Sequence, residues 1–269
     1  MEVKVLPASR WKGNEQSLVV FAAENQPSPL GWKGGEAALK RVQAQAREEA
    51  FTGKAQQVVA LHPEGGEPSR RVYLAGVGKL QEINDEAYRR AAAAASRAAA
   101  RTANRGLTVM FPERGDAAKV QRIAKAITEG VLLAQYRFGA YKTVADDAAK
   151  PLEHLVILNG DANLRDVEEG ARVGRIHAQA AQLARDLVNE PPSSLTPLKL
   201  AERAARLGGR VKAKVFDAKT VERMGMGALL GVARGSQQPP VFIQLRYTGS
   251  KPKAKVALVG KGVTFDSGG

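Results

Sequence analysis

Six short runs of β-branched and apolar residues, each followed by turn residues and most by a helical stretch, constrain this chain most. The runs fall at 3–6, 18–22, 58–61, 72–77, 107–111 and 155–158, and helical patterns occupy 36–50, 82–103 and 117–133 between them. Parallel strands need long crossovers, and their sheets are covered on both faces. The alternation therefore predicts an α/β domain with a mostly parallel or mixed sheet. Its Ala-rich helix, with Arg89, Arg90, Arg97 and Arg101 along it, offers one small packable side and one solvated side.

A longer helical pattern runs over 166–188 and is ended by Asn189, Glu190, Pro191 and Pro192. Adjacent prolines lack backbone donors and push the preceding residue out of helix, so the break is firm. Thr196 then reads as an N-cap with Pro197 in the first helical position, opening a helix to about residue 207. Strand patterns follow at 211–216, 241–246 and 255–259, with a Met- and Gly-rich segment at 224–235. The expected organisation is an N-terminal α/β domain over 1–160, a linker helix over 161–192, and the beginning of a second α/β domain over 193–269.

Composition excludes several classes. Cysteine is absent, which rules out disulfides, thiolate metal sites and a Cys nucleophile. No signal-peptide pattern opens the chain, and no apolar run approaches the roughly 20 residues that span a bilayer. A cytoplasmic setting with no membrane partner is the expectation. The formal charge is +14, and from Ser193 onward 14 basic residues stand against 4 acidic ones. That excess admits two readings: a polyanion surface, with DNA as the partner, or a basic segment that belongs with an acidic one elsewhere.

Familiar catalytic motifs fail on inspection. The AGVGKL segment at 75–80 lacks the first glycine and the hydroxyl residue of a phosphate loop, and reads as a strand-ending turn. His62, His154 and His177 are scattered, without an HExxH pair. No GxSxG elbow is present, and Ser267 has no histidine near it in sequence. Lys251, Lys253 and Lys255 read as strand-edge charge that discourages pairing, with phosphate contact as the other use.

The last fifteen residues, KVALVGKGVTFDSGG, read as a short buried strand followed by a Gly-rich loop holding Lys261 and Asp266. Loops beyond the carboxyl ends of strands are where open α/β sheets bind ligands. Asp266 can bridge cations through two oxygens, and a neighbouring dication would favour the neutral, ligating form of the Lys261 amine. A plain Lys–Asp ion pair accounts for the same spacing. Ending inside this loop, the chain reads as interrupted.

Four segments in order resemble signatures of the leucyl aminopeptidases, cytosolic metallo-exopeptidases. They are EGVLLAQYRFGAYKT from Glu129, ARDLVNEPPSSLTP from Ala184, MGMGALLGVARGS from Met224 and VGKGVTFDSGG from Val259. The first 128 residues match less distinctively. The resemblance implies a macro-domain-like N-terminal α/β domain and a metallo-aminopeptidase domain with two divalent ions, zinc or manganese, in a homo-hexamer acting on peptides. By motif position, Lys261 and Asp266 would be metal ligands, and metal-activated water would release N-terminal, leucine-like residues. The other carboxylate ligands, a second lysine and the arginine that holds a bicarbonate proton shuttle have no counterpart up to Gly269. Activity is therefore expected to require residues beyond 269; the alternative is an inactive fragment or a DNA-binding module.

Overall fold

The structure is a computed structural model describing residues 1–10, 17–26, 28–33, 35–62, 71–102, 104–143, 151–250 and 254–265. The chain divides into two compact units, Met1–Ala184 and Arg185–Gly269. No helix among the described residues is long and apolar enough to cross a membrane.

The first unit is built on a six-stranded sheet in the order β1-β6-β5-β2-β4-β3. Its strands are β1 (Glu2–Leu6), β2 (Leu18–Ala23), β3 (Val58–Leu61), β4 (Val72–Gly78), β5 (Gly106–Met110) and β6 (His154–Leu158). All neighbours run parallel except β3, which lies antiparallel to β4 at one edge. Both faces of β2 and β4 are buried along their whole length, as their uninterrupted apolar runs require.

The helices are α1 (Glu36–Glu48), α2 (Asp85–Ala100), α3 (Ala117–Ala134) and α4 (Leu164–Asn189). Val42 and Ala46 of α1 pack with Leu18, Val20 and Leu74 on one face of the sheet. The other face is covered by α2, α3 and the first half of α4, through Tyr88, Ala95, Ile127, Val167 and Ala171. Asn84 and Asp116 cap α2 and α3 by accepting the Ala87 and Lys119 amides, so the N-terminal donors are satisfied. Small residues let these helices approach closely. A Cβ on Gly130 would lie 2.2 Å from the Arg89 carbonyl oxygen, and one on Gly170 would lie 2.3 Å from that of Gln121.

The second unit contains α5 (Pro197–Ala205), β7 (Val211–Phe216), α6 (Ala218–Arg223), α7 (Gly227–Ala233) and β8 (Phe242–Tyr247). Thr196 caps α5 as its sequence predicts, with Pro197 at the start. The Met- and Gly-rich segment contains α7, which propensity alone does not reveal because glycine is a poor helix former. β7 and β8 form an antiparallel pair.

One strand expectation is corrected. Residues 255–259 form no strand, and Val256, Leu258 and Val259 are 84%, 96% and 97% exposed. A strand exists only where a neighbour supplies its ladder, and no described residue pairs with this run. Its apolar sequence records a preference for burial that nothing described here satisfies.

Candidate functional site

Lys261 sits in a stretch without regular structure, exposed, between Gly260 and Gly262. Among the described residues a Cβ on Gly260 would meet nothing within 4 Å, and one on Gly262 only Leu200 Cδ2 at 3.5 Å. The loop is thus open to a close backbone approach. Asp266, Ser267, Lys251 and Lys253 lie outside the described residues. Among those described, no three His, Asp or Glu side chains gather in a way that could hold a metal ion.

The three histidines have separate surroundings. His154 Nδ1 lies 3.2 Å from Glu2, and His177 Nδ1 lies 3.2 Å from Glu129. His62 contributes its carbonyl oxygen to the Gln45 amide at 3.1 Å. This dispersal agrees with the absence of a paired-histidine motif.

Tertiary structure assembles two polar clusters that spacing does not announce. Glu129, only 7% exposed, meets Arg89 of α2 at 2.9 Å, Lys125 of its own helix at 3.7 Å and His177 of α4. One carboxylate therefore ties three helices together. At the carboxyl ends of the strands, Asp161 is bracketed by Lys33 at 2.6 Å and Arg114 at 2.9 Å. Hydrogen bonds from Lys33 and then Arg114 hold its carboxyl below the usual carboxylate range. Nearby, burial pushes the Tyr88 phenol well above its ordinary range, reinforced by its hydrogen bond to Glu113.

Comparison with known proteins decides what this arrangement belongs to. A sequence model of the N-terminal domain of the cytosol aminopeptidase family matches residues 18–145, and one of its catalytic domain matches residues 182–269. The chain belongs to the cytosol aminopeptidase family.

A probable cytosol aminopeptidase of Aquifex aeolicus (strain VF5) is 41% identical over 274 residues, covering 100% of this chain and 53% of the relative. A probable cytosol aminopeptidase of Alkaliphilus oremlandii (strain OhILAs) is 34% identical, covering 82% of this chain and 45% of that one. The chain spans about half the length of these curated relatives. Among solved structures, a mutant of tomato leucine aminopeptidase superposes with a TM-score of 0.80 at 26% identity, over 99% of this chain and 55% of its own. The bottromycin maturation enzyme BotP in complex with Mn matches with a TM-score of 0.67 at 25% identity, over 87% and 46% of the two chains. The aminopeptidase reading is the one these matches favour over a DNA-binding module. Members of the family are peptidases.

Proposed function

We propose that this chain supplies the N-terminal domain and the first part of the catalytic domain of a metal-dependent aminopeptidase that releases leucine-like N-terminal residues from peptides. The observation that carries the reading is the order of the two family matches along one chain, N-terminal domain before catalytic domain. Its working setting is the cytoplasm, as a homo-hexamer, on peptide substrates.

The residues present fit a divalent ion in part. Lys261 offers an amine nitrogen that no ion pair occupies among the described residues, and Asp266 a carboxylate. Nitrogen and oxygen donors of this kind suit zinc or manganese. Such ions take four or more ligands, so these two donors are part of a set for a metal pair and do not close it. When bound, two divalent ions supply Lewis acidity toward a peptide carbonyl and a water nucleophile at neutral pH.

This chain's own residues have simpler tasks. Lys261 would donate to an ion through the lone pair of Nζ, as a neutral amine. Gly260 and Gly262 leave the backbone on either side of that residue open to approach. Asp266 adds negative charge to offset the ions. Bicarbonate would have to be held by an arginine outside this chain, and activity is assigned to a polypeptide that continues beyond residue 269.

Hydrolysis of leucine p-nitroanilide with added manganese or zinc tests this reading. A protein of the relatives' full length should be active, and Lys261→Met or Asp266→Asn should lower its rate at least a hundredfold. The 269-residue chain alone should be inactive. Unchanged rates in both variants, or equal activity of the short chain, would refute the ligand assignment.

A further inference from the structure

The carboxyl end of β2 borders a hollow in the first unit that the aminopeptidase reading leaves unused. β2 and β4 are parallel neighbours, yet β2 leads into α1 on one face of the sheet and β4 into α2 on the other. Adjacent strands whose connections depart to opposite faces open a crevice beyond their carboxyl ends, which is where α/β sheets take ligands. A cavity of about 340 Å³ lies there, between α1, the end of β2 and the segments that follow each of them. Its volume is in the range of small-molecule sites.

The cavity has an apolar floor and a polar rim. Ala22 of β2, Leu74 of β4 and Val42 and Ala46 of α1 line it as buried residues, with Phe51 half-buried beside them. Interiors are normally filled to crystal-like density, and here the short Ala22 and Ala46 side chains leave space. One wall is held in place from behind. Gly53, at φ +80°, lies so close to β2 that a Cβ there would be 2.4 Å from the Ala23 carbonyl oxygen, and Gln57 Oε1 accepts the Thr52 amide and hydroxyl at 2.9 and 3.1 Å. On the rim stand Asn25, Gln26 and Arg47, all exposed. Arg47 has no ion-pair partner among the described residues, and no acidic residue is among those lining the cavity. An arginine in the last turn of a helix offsets the helix dipole. That role does not account for an apolar hollow at its side.

We propose that this cavity binds a small carboxylic acid with an apolar body, its carboxylate held by Arg47 and its hydrocarbon seated on Val42, Ala46 and Leu74. The guanidinium presents paired N–H donors in a fork that matches the two oxygens of a carboxylate. The Asn25 and Gln26 amides are neutral, so the lining carries one formal positive charge and suits a singly charged acid. A phosphate monoester, with close to two negative charges, would leave part of its charge without a counter-ion. A cationic ligand would meet no carboxylate among the described lining residues. Burial of the apolar body supplies attraction, and the charge-assisted hydrogen bonds to Arg47 set the orientation.

Saturation-transfer difference NMR of the chain titrated with 3-phenylpropanoate tests the proposal, with 3-phenylpropanol as a neutral ligand of the same body. The acid should bind with a Kd of about 1 mM or tighter, as the efficiency of ligands of its size gives, and the alcohol about tenfold more weakly. Arg47→Gln should weaken the acid about tenfold and leave the alcohol unchanged. Ala46→Leu fills the floor and should weaken both. Arg47 is exposed, so circular dichroism and a melting temperature matching the parent's are expected of its variant, which decides the matter even where Ala46→Leu perturbs folding. No transfer at roughly ten times the expected Kd, equal affinity for acid and alcohol, or an Arg47→Gln variant that binds the acid as the parent does would each overturn the site. It shares no residue with Lys261 and Asp266, so hydrolysis of leucine p-nitroanilide separates its failure from failure of the peptidase reading.

Discussion

Gly130 offers the sharpest test of how the first unit is packed. Its place in α3 faces the backbone of α2, where an added Cβ would come within 2.2 Å of the Arg89 carbonyl oxygen and 3.0 Å of its carbon. Non-bonded heavy atoms settle near 3.5 Å, so Gly130→Ala forces the two helices apart by roughly 1 Å. The obstruction is backbone, which cannot rotate away as a side-chain tip could. Overpacking of this kind costs about 1–3 kcal/mol, and the separation also loosens the buried stripe of Ala91, Ala92, Ala95 and Ala99. Alanine regains about 1 kcal/mol of helix propensity, which offsets part of the cost. A net loss near 2 kcal/mol corresponds to a fall in Tm of about 4–8 °C for a unit of this size. Thermal unfolding followed by far-ultraviolet circular dichroism measures it. Gly231→Ala in α7 is the opposite control: no described atom lies within 4 Å of its Cβ, so propensity acts alone and stability should rise by up to about 1 kcal/mol. A Gly130→Ala protein that melts at or above the parent's temperature would show that α2 and α3 do not meet as described.

Three further outcomes follow from the polar clusters and caps. Glu129→Ala leaves Arg89 without its interhelical carboxylate, at 2.9 Å in the parent, and should cost about 2 kcal/mol in urea unfolding; an unchanged midpoint would remove Glu129 as the tie between helices. The folded-state pKa of Asp161 is lowered, so its contribution to stability is present above the ordinary carboxylate value of 3.8 and is lost as pH falls through the lower folded value. The stability gap between the parent and Asp161→Asn should therefore be present at neutral pH and close in acid, and a gap that widens on acidification would contradict the sign. Asp116→Ala removes the cap on the Lys119 amide, bonded at 2.8 Å, and should cost about 1 kcal/mol, with Asp116→Asn recovering most of it.

The alternation of strand and helix was legible because each element satisfies its needs locally. An apolar run such as LVVFAA specifies a strand buried on both faces, and β2 is that strand. The caps at Asn84, Asp116 and Thr196 were equally local, since a side chain bonds an amide three residues away. The candidate site was legible only as motif: Lys261 and Asp266 carry meaning through the VGKGVTFDSGG signature and not through any contact spacing could disclose. The α6 and α7 helices escaped notice because glycines and short length weaken the helical period.

What sequence by itself determined here is which segments bury apolar faces, where helices begin, and which family the signatures belong to. Tertiary structure alone decided the strand order, the three-helix convergence on Glu129, and the cavity beside α1. It also decided that residues 255–259, apolar though they are, form no strand among the described residues. The physical reason is common to all of these. Strand pairing and ion pairing are interactions between distant parts of the chain, so a segment's composition states what it can bury or bond, and only the partner that reaches it determines whether it does.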